Sequence, residues 1–422
     1  MNRSIALALA LATCILVVSA CNRSRPDPGD TQSGAVSSAG ATSAAPKAPV
    51  DLKSVAAKVI GQAAEVRENE IVELSGNVED LPLLEDMAIE IRKRGAHPIV
   101  LVQSEQFSRR SYDEVPAKYD SQPPEAYRKL TNIIDVFIGT EAGEGRTLRG
   151  VPPERVLARD KAFQPLFTQA QKRGVRTVSL GNGLYPSEER AERMGMDRDE
   201  LASLMYGGVD ADYEQLQATG TEIEKALRAG KELRITSPDG TDLKIRLASP
   251  QVYVSDGIIS AEDRKRGGSA LSVWLPAGEV YFAVAPGTAN GILVADRYYF
   301  SGDRIDGLRL EIKDGKVVGM SAKAGLDPLK ARYDKADAGR DLVGVVDFGI
   351  NSSLKVPEGS AVNAWSRAGA VTVSIGNNQW AGGSNLSDFG MSPEVARATV
   401  TVDGKPIVEN GKLVAAPTVA SR

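Results

Sequence analysis

The sequence predicts a protein with an α/β half and a β-rich half, because the pattern of secondary structure changes near the middle of its 422 residues. In the first half, short apolar runs alternate with helical segments, which is typical of a parallel sheet covered by helices. In the second half, β-type runs are separated by Asp-Gly turns, which indicates antiparallel hairpins. We therefore predict a three-layer, Rossmann-like domain over residues 51–228 and a mainly antiparallel domain over residues 229–422.

The first domain is predicted from strands that alternate with helices. The segment "VEDLPLLEDMAIEIRKRGA" carries a helical stripe of apolar residues and stops at Gly95, and "DKAFQPLFTQAQKRGV" is a second helix that ends at Gly174. The run "HPIVLV" has the composition of a buried parallel strand. No Gly-x-Gly-x-x-Gly turn is present, so nothing supports nucleotide binding. The predicted strands are residues 71–76, 97–102, 131–140 and 176–181.

The second domain begins after a helical stretch, residues 194–230, in which Asp197 can cap the start and Gly230 can end the helix. The segment "KELRITSPDGTDLKIRLA" then predicts a hairpin around Pro-Asp-Gly. Asp-Gly turns are expected at 306–307, 314–315 and 403–404. The other β-type runs are 252–254, 271–284, 292–300, 308–318, 343–350, 370–375 and 397–409.

The N-terminus has the pattern of a lipoprotein signal. Arg3 precedes an apolar run that ends in Val18-Ser-Ala-Cys21, which predicts cleavage before Cys21 and acylation of its thiol. The alternative is an ordinary secretory signal with an incidental cysteine. Residues 22–50 are rich in Ser, Ala, Gly and Pro, which is typical of a disordered tether. Asn22 in place of Asp favours the outer membrane, with the protein facing the periplasm.

Residue counts exclude several classes of function. The formal net charge of −4 carries no basic excess, so nucleic acid is not an expected partner. The only cysteines are Cys14 and Cys21, so no disulfide or thiolate site is expected in the mature chain. The single histidine, His97, opens a predicted strand and is expected to be structural. A zinc site with several histidine or cysteine ligands is therefore excluded.

One segment of the second domain carries a resemblance to a known family. "WLPAGEVYFAVAPGTANGILVAD", residues 274–296, resembles the Leu-Pro-x-Gly-Glu-Val-Phe segment of the thermophilic metallo-aminopeptidases of the S and T type. "GTDLKIRL", "DFGINSSLK" and "GNNQWAGGSNLSDF" resemble further family segments and follow in the same order. The family also contains a pyridine-diol dioxygenase branch, so the resemblance implies the fold, with a cavity in the second domain, more firmly than the chemistry.

The family site holds two divalent ions through two acids, two histidines and an Asp, which the resemblance places on five positions of this chain. Glu279 and Asp388 match their family counterparts. The second acid is replaced by Val345, and the two histidines are replaced by Thr372 and Leu386. Because two ions must share a bridging hydroxide between several donors, the resemblance implies a site from which most of the metal ligands have been lost.

The sequence therefore predicts a membrane-anchored lipoprotein with an aminopeptidase-like fold and no catalysis, binding a peptide, a small molecule or a protein in the envelope. No cofactor is expected, and Glu279 and Asp388 are interpreted as a remnant of the site. The alternative is an active, metal-dependent aminopeptidase with a carboxylate site that Asp341 and Asp347 would help to form around a hard ion. A purely structural envelope protein is a further alternative.

Two further expectations concern aromatic residues and assembly. Trp380, beside the Gly382-Gly383 turn, is expected to line the mouth of the pocket, as are Trp274 and Trp365, and the alternative for all three is a place in the core. The resemblance implies a homodimer, although nothing in the composition requires one.

Overall fold

The computed structural model describes residues 50–141, 150–300, 303–356, 364–387 and 389–414. The signal, Cys21 and almost all of the tether lie outside these residues, as does Asp388. None of the helices in these ranges has the length and apolarity needed to cross a membrane.

The described chain contains ten α-helices and eighteen strands, together with short 3-10 and π turns. The α-helices are α1 (Leu52–Lys58), α2 (Leu81–Lys93), α3 (Glu105–Asp113), α4 (Glu125–Thr131), α5 (Pro153–Arg173), α6 (Glu188–Met194), α7 (Arg198–Val209), α8 (Tyr213–Ala229), α9 (Ala261–Arg266) and α10 (Asp327–Lys335). The strands are β1 (Ile71–Asn77), β2 (His97–Gln103), β3 (Val136–Thr140), β4 (Arg176–Leu180), β5 (Glu232–Thr236), β6 (Asp242–Arg246), β7 (Val252–Ser255), β8 (Ser272–Leu275), β9 (Glu279–Ala283), β10 (Ala289–Phe300), β11 (Asp303–Lys313), β12 (Lys316–Ser321), β13 (Val343–Gly349), β14 (Val371–Gly376), β15 (Gly390–Met391), β16 (Thr399–Val402), β17 (Lys405–Glu409) and β18 (Lys412–Leu413).

The first half of the chain is built around a five-stranded parallel sheet, as the alternating pattern predicts. The order of its strands is β2-β1-β3-β4-β8. All residues of β3 and β4 are buried, and β3 is mostly apolar as expected for a central parallel strand, whereas β4 also buries Arg176, Thr177 and Ser179. Helix α2 packs on one face of the sheet through its apolar stripe. The mixed α/β and β-rich fold class is confirmed.

Strand β2 differs from the buried strand that its sequence predicts. It lies at the outer edge of the sheet, and Val100 and Val102 are 40% and 45% exposed. The composition "HPIVLV" predicts the strand correctly but not its place in the sheet, because strand order depends on the tertiary crossover and not on the strand itself.

The run 271–284, predicted as one β segment, forms two strands that belong to different sheets. Gly278, with a φ of 115° that favours glycine, lies in the short turn between β8 and β9. Strand β8 completes the parallel sheet beside β4, whereas β9 enters an antiparallel sheet. The chain of the predicted second domain thus returns to the first sheet, and the domain division at residue 229 stays a prediction.

Two antiparallel sheets make up most of the second half. One has eight strands in the order β12-β11-β10-β6-β5-β16-β17-β18, and the other has five in the order β15-β14-β13-β9-β7. The Asp-Gly turns at 314–315 and 403–404 are confirmed, since they connect β11 to β12 and β16 to β17. The turn expected at 306–307 is wrong, because both residues lie within β11.

The helical stretch between the two halves consists of two helices. Asp197 caps α7 and forms a capping box with Glu200, and Gly230 ends α8, as predicted. Residues 210–212 interrupt the helix, and Asp212 caps α8. Helix α8 then packs against β7, where Gly220 lies against Val254.

Candidate functional site

Glu279 lies at the junction of the parallel sheet and the five-stranded antiparallel sheet. It is the first residue of β9 and is completely buried. The side-chain amide of Asn182, just after β4, donates to Glu279 Oε1 at 3.2 Å and to the Pro276 carbonyl at 2.9 Å. One oxygen of this carboxyl group is therefore oriented by a loop at the carboxyl edge of the parallel sheet.

The loop that carries Asn182 is fixed by a buried ion pair. Arg190 Nη1 lies 2.9 Å from Glu141 Oε2, and their side chains are 3% and 13% exposed. The other Glu141 oxygen accepts from the Gly183 amide at 2.9 Å. Trp365 covers the same loop, since a Cβ on Gly183 would lie 2.8 Å from its ring. These contacts position the loop, and with it Asn182, next to Glu279.

Asp347 and Thr372 lie on the same sheet face as Glu279. In the antiparallel register, Asp347 of β13 is opposite Tyr281 of β9 and Thr372 of β14. Directly opposite residues share a face, and diagonal neighbours such as Glu279 and Asp347 are about 7–8 Å apart. Asp347 and Thr372 are 3% and 2% exposed. The structure therefore brings Glu279, Asp347 and Thr372 onto one buried, polar surface.

Val345 stands on this same face, two residues from Asp347, and is covered by aromatic side chains. Its packing cluster contains Tyr281 and Trp380. The rings of Tyr281 and Trp380 are 5.3 Å apart, and Tyr253 stacks on Tyr281 at 5.4 Å. Trp380 is 6% exposed and so belongs to the packed layer over the sheet, as in the core alternative for this residue. An apolar cluster therefore fills the space beside Asp347.

The remaining predicted positions lie in different surroundings. Leu386 is 70% exposed, so its side chain points into solvent and not toward Glu279. Asp341 lies in the turn before β13, where the Tyr333 hydroxyl donates to it. Trp274 is buried in β8. Of the oxygens considered for a hard ion, only Glu279 and Asp347 are brought to one face within the residues that the structure describes.

The donor set does not fit the two-ion site of the family. Among the described residues, which do not include Asp388, no group of three or more His, Cys, Asp or Glu side chains could hold a metal ion. His97 is exposed at the amino end of β2, the end of the parallel sheet opposite to Asn182. Transition ions at a peptidase site depend on nitrogen and several carboxylate ligands, which the described residues of this face do not supply.

A second polar cluster, at the carboxyl edge of β1 and β3, was not predicted. Asp80 accepts from the Thr140 hydroxyl at 2.6 Å, the Tyr185 hydroxyl at 2.7 Å and the Asn77 amide at 2.9 Å. The Asn77-Val-Glu-Asp80 spacing is a capping signature and could have indicated the local contact. Nothing in the sequence indicates Thr140 or Tyr185, which are 60 and 105 residues away.

Comparison with known proteins agrees with this architecture. The sequence profile of the thermophilic metalloprotease (M29) family matches residues 50–355. The chain belongs to this family. It is 25% identical over 317 residues to aminopeptidase PepS of Streptococcus thermophilus, covering 66% of this chain and 72% of the relative.

Two solved structures share the fold of this M29 protein. AmpT from Thermus thermophilus has a TM-score of 0.68 at 16% identity and covers 86% of this chain and 98% of its own. The 2,5-dihydroxypyridine dioxygenase from Pseudomonas putida has a TM-score of 0.57 at 15% identity, covering 88% and 99%. At these identities the similarity shows the fold alone. The family match contains Glu279 and Val345 and ends before Thr372.

Proposed function

We propose that this M29 protein is a pseudoenzyme of the cell envelope, anchored through Cys21 and used to bind a peptide or protein without cleaving it. The observation that carries the proposal is the packing of Val345. The position at which the family resemblance requires an acid holds an apolar side chain under Tyr281 and Trp380. A cation beside Asp347 would have to displace this cluster, which makes dinuclear chemistry unfavourable.

The anchor rests on the sequence of the N-terminus. The apolar run ending in Val18-Ser-Ala-Cys21 and the Ser/Ala/Gly/Pro-rich residues 22–50 favour a lipid-modified cysteine followed by a tether. Such a tether would hold the folded part off the membrane, where it can meet soluble or membrane-bound partners in the periplasm.

The second candidate is an active aminopeptidase with a carboxylate site. Two observations favour it: Glu279 and Asp347 share one buried face, and the relative from Streptococcus thermophilus is an aminopeptidase. In that case an ion held by oxygens would polarise the peptide carbonyl. The replacements at Val345 and Thr372 weigh against this candidate.

Metal content and turnover distinguish the two candidates. The full chain, purified in mild detergent, is dialysed against zinc, then against buffer, and assayed by elemental analysis and with a leucyl-anilide substrate. The pseudoenzyme is expected to retain no stoichiometric zinc, cobalt or manganese and to release no anilide. One retained transition ion per chain, with turnover abolished by Glu279→Gln, would establish the peptidase instead.

Cell fractionation tests the anchor separately. The Cys21→Ala variant is expected to leave the membrane fraction and to appear in the soluble fraction, because it lacks the thiol that carries the lipid. A variant that sediments with membranes as the parent does would refute acylation at Cys21 but would leave the proposal on catalysis unchanged.

A further inference from the structure

Exposed apolar side chains are concentrated in one part of the molecule. Of the twelve large apolar residues that are exposed in the described chain, nine fall within residues 78–133. Four of these nine lie around the carboxyl end of the outer strands of the parallel sheet: Val78, Leu81, Val102 and Phe107, which are 52%, 40%, 45% and 73% exposed. We call these four residues the apolar corner. Apolar surface of this kind marks a place where a protein meets a partner or a membrane.

Strand pairing brings the four residues of the apolar corner together. Val102 of β2 is opposite Gly76 of β1, and neighbouring strands are about 4.8 Å apart. Val78 comes two residues after Gly76, and Leu81 is the first residue of α2. Phe107 lies in the first turn of α3, which follows β2 directly. Both strands therefore end at this corner, and each is followed by exposed apolar side chains.

Phe107 is held outward by helix α3. The Ser104 hydroxyl oxygen caps the helix and accepts from the Phe107 amide at 3.3 Å. Tyr112 of the same helix is 3% exposed, and the Arg159 guanidinium stacks on its ring at 3.8 Å. Five residues correspond to about 140° around a helix, so Phe107 and Tyr112 point to different sides. Helix α3 cannot bury Phe107 without removing Tyr112 from its place.

The chain enters the folded part at the same end of the sheet. Helices α1 and α2 pack together, and Gly61, which follows α1, lies against Arg94, which ends α2. The two helices therefore run in the same direction, and Val50, just before α1, lies at the end where Leu81 begins α2. The tether predicted for residues 22–49 would have a mean span of about 30 Å. It would thus join the lipid of Cys21 to the end of the molecule that carries the apolar corner.

The charges beside the apolar corner are balanced. Arg109 and Arg110 of α3 form ion pairs with Asp113 and Glu114 at 2.7 Å and 2.6 Å. No excess of positive charge is therefore available on α3 to attract anionic headgroups, and contact would depend on the apolar side chains. A bilayer interface suits them, because it accepts phenylalanine and aliphatic side chains without a matching set of polar groups.

We propose that the apolar corner inserts into the interface of the membrane to which Cys21 is anchored, so that the outer edge of the parallel sheet faces the lipid. This proposal rests on the anchor proposed above. Four side chains alone give weak membrane binding, but the tether makes their contact intramolecular and so raises its effective concentration. The lipid and the apolar corner together would fix the orientation of the folded part, which the lipid alone would leave free.

A single new thiol reports contact with lipid. Val78→Cys is made in the full chain, labelled with a fluorophore and reconstituted in phosphatidylcholine vesicles with or without lipid that is spin-labelled on the acyl chain near the headgroup. We expect the spin label to quench the fluorescence several-fold. Val318→Cys is the matched control, because Val318 is 63% exposed on β12 of the eight-stranded sheet, and it is expected to show no quenching. The unsubstituted chain controls for labelling of Cys14 and Cys21.

Phe107→Glu, added to Val78→Cys, tests whether the apolar corner causes this contact. Because Phe107 is 73% exposed, the thermal transition should stay unchanged, and the lipid on Cys21 should keep the chain on the vesicles. Quenching is expected to disappear. Quenching that persists in this variant, or that is equal for Val78→Cys and Val318→Cys, would overturn the proposal. A label that is shielded from water but not quenched by lipid would also overturn it, since another protein or a second copy would then cover the corner.

Vesicle flotation separates this proposal from the anchor. A Val78→Cys chain that floats with the vesicles and shows no quenching would refute the docking of the apolar corner and leave the anchor intact. A chain that does not float would refute the anchor and the docking together.

Discussion

Asp80 and Glu279 are both buried carboxyl groups at strand ends, but their surroundings differ. Asp80 lies at the carboxyl edge of the parallel sheet and accepts from two hydroxyl groups and a backbone amide, all within 2.9 Å. Glu279 opens a strand of the antiparallel sheet, on a face that it shares with Asp347 and with the aromatic cluster around Val345. Asp80 is satisfied by hydrogen bonds, two of them from residues distant in the sequence, whereas Glu279 lies beside a cluster of apolar and aromatic side chains.

The space around Asp80 and the space around Glu279 are filled by different kinds of side chain. In open α/β sheets, ligands bind outside the carboxyl ends of the strands where the strand order reverses, which here is between β1 and β3. Asp80, Thr140 and Tyr185 occupy that position with a hydrogen-bonded network. On the antiparallel face, Trp380 and Tyr281 fill the space with rings. The first position is thus filled by polar side chains and the second by aromatic ones.

Trp380→Ala is expected to have the largest effect, because it removes the ring that closes the antiparallel face. Truncating a buried tryptophan costs about 4 kcal/mol through lost burial and the cavity left behind. Urea unfolding followed by circular dichroism gives the free energy of unfolding. Leu386→Ala in the same loop is the control, and since that side chain is 70% exposed its effect should stay within about 0.5 kcal/mol.

A loss below about 1 kcal/mol for Trp380→Ala would mean that the neighbouring side chains collapse into the space easily. In that case the side chains around Val345 would be able to rearrange. The face that carries Val345 would then not be tightly filled, and it would no longer differ from the Asp80 network in the way described above.

Asp80→Ala is expected to have the next largest effect. It leaves the hydroxyls of Thr140 and Tyr185 buried without their acceptor, at a cost of about 3 kcal/mol. Thermal and urea unfolding measure the loss. Glu85→Ala, an exposed position on α2, should change stability by less than about 0.5 kcal/mol. An Asp80→Ala variant as stable as its control would mean that water replaces the carboxylate.

The two regions also differ in how far the sequence predicts them. The strand-helix alternation predicts the parallel sheet because this signal is local, whereas the site role of Glu279 is implied by the family resemblance of the Gly-Glu-Val segment and stays a prediction. The pairing of Asp347 with Tyr281 and Thr372 depends on strand register, and the Asp80 network joins residues up to 105 positions apart. The run 271–284 is predicted as one β segment, so neither the break at Pro276 nor the assignment of β8 and β9 to different sheets follows from the sequence.

Glu73 is also a buried carboxyl group, and it lies within β1. It is expected to make the stability of the protein depend on pH. Burial raises its pKa from 4.5 to about 7. The folded state therefore binds the proton more tightly than the unfolded state does. The stability that this proton contributes is complete below pH 4.5 and is lost as the pH rises through 7.

Glu73→Gln is thus expected to flatten the decline in stability between pH 5 and 8 by about 2 kcal/mol. Urea unfolding at a series of pH values measures the slope for parent and variant. Burial also raises the pKa of Asp160 to about 7. Asp160 is present in both parent and variant, so its contribution to the pH dependence of stability is the same in both. Parallel curves for parent and variant would show that Glu73 is solvated in the folded protein.

Glu279→Gln is expected to have the smallest effect, and it separates the two candidate functions most sharply. The glutamine keeps an oxygen that can accept from Asn182, and it removes a buried carboxyl group whose ionised form is costly in a protein interior. The free energy of unfolding should therefore change by less than about 1 kcal/mol.

Unfolding is then measured for parent and variant with and without added zinc, because an ion that binds only the folded state stabilises it in proportion to the logarithm of its concentration. For a pseudoenzyme, zinc leaves both midpoints unchanged. A midpoint that rises with zinc in the parent and not in the variant would show that Glu279 still binds a cation, and the face around Asp347 would then have to be considered an active site.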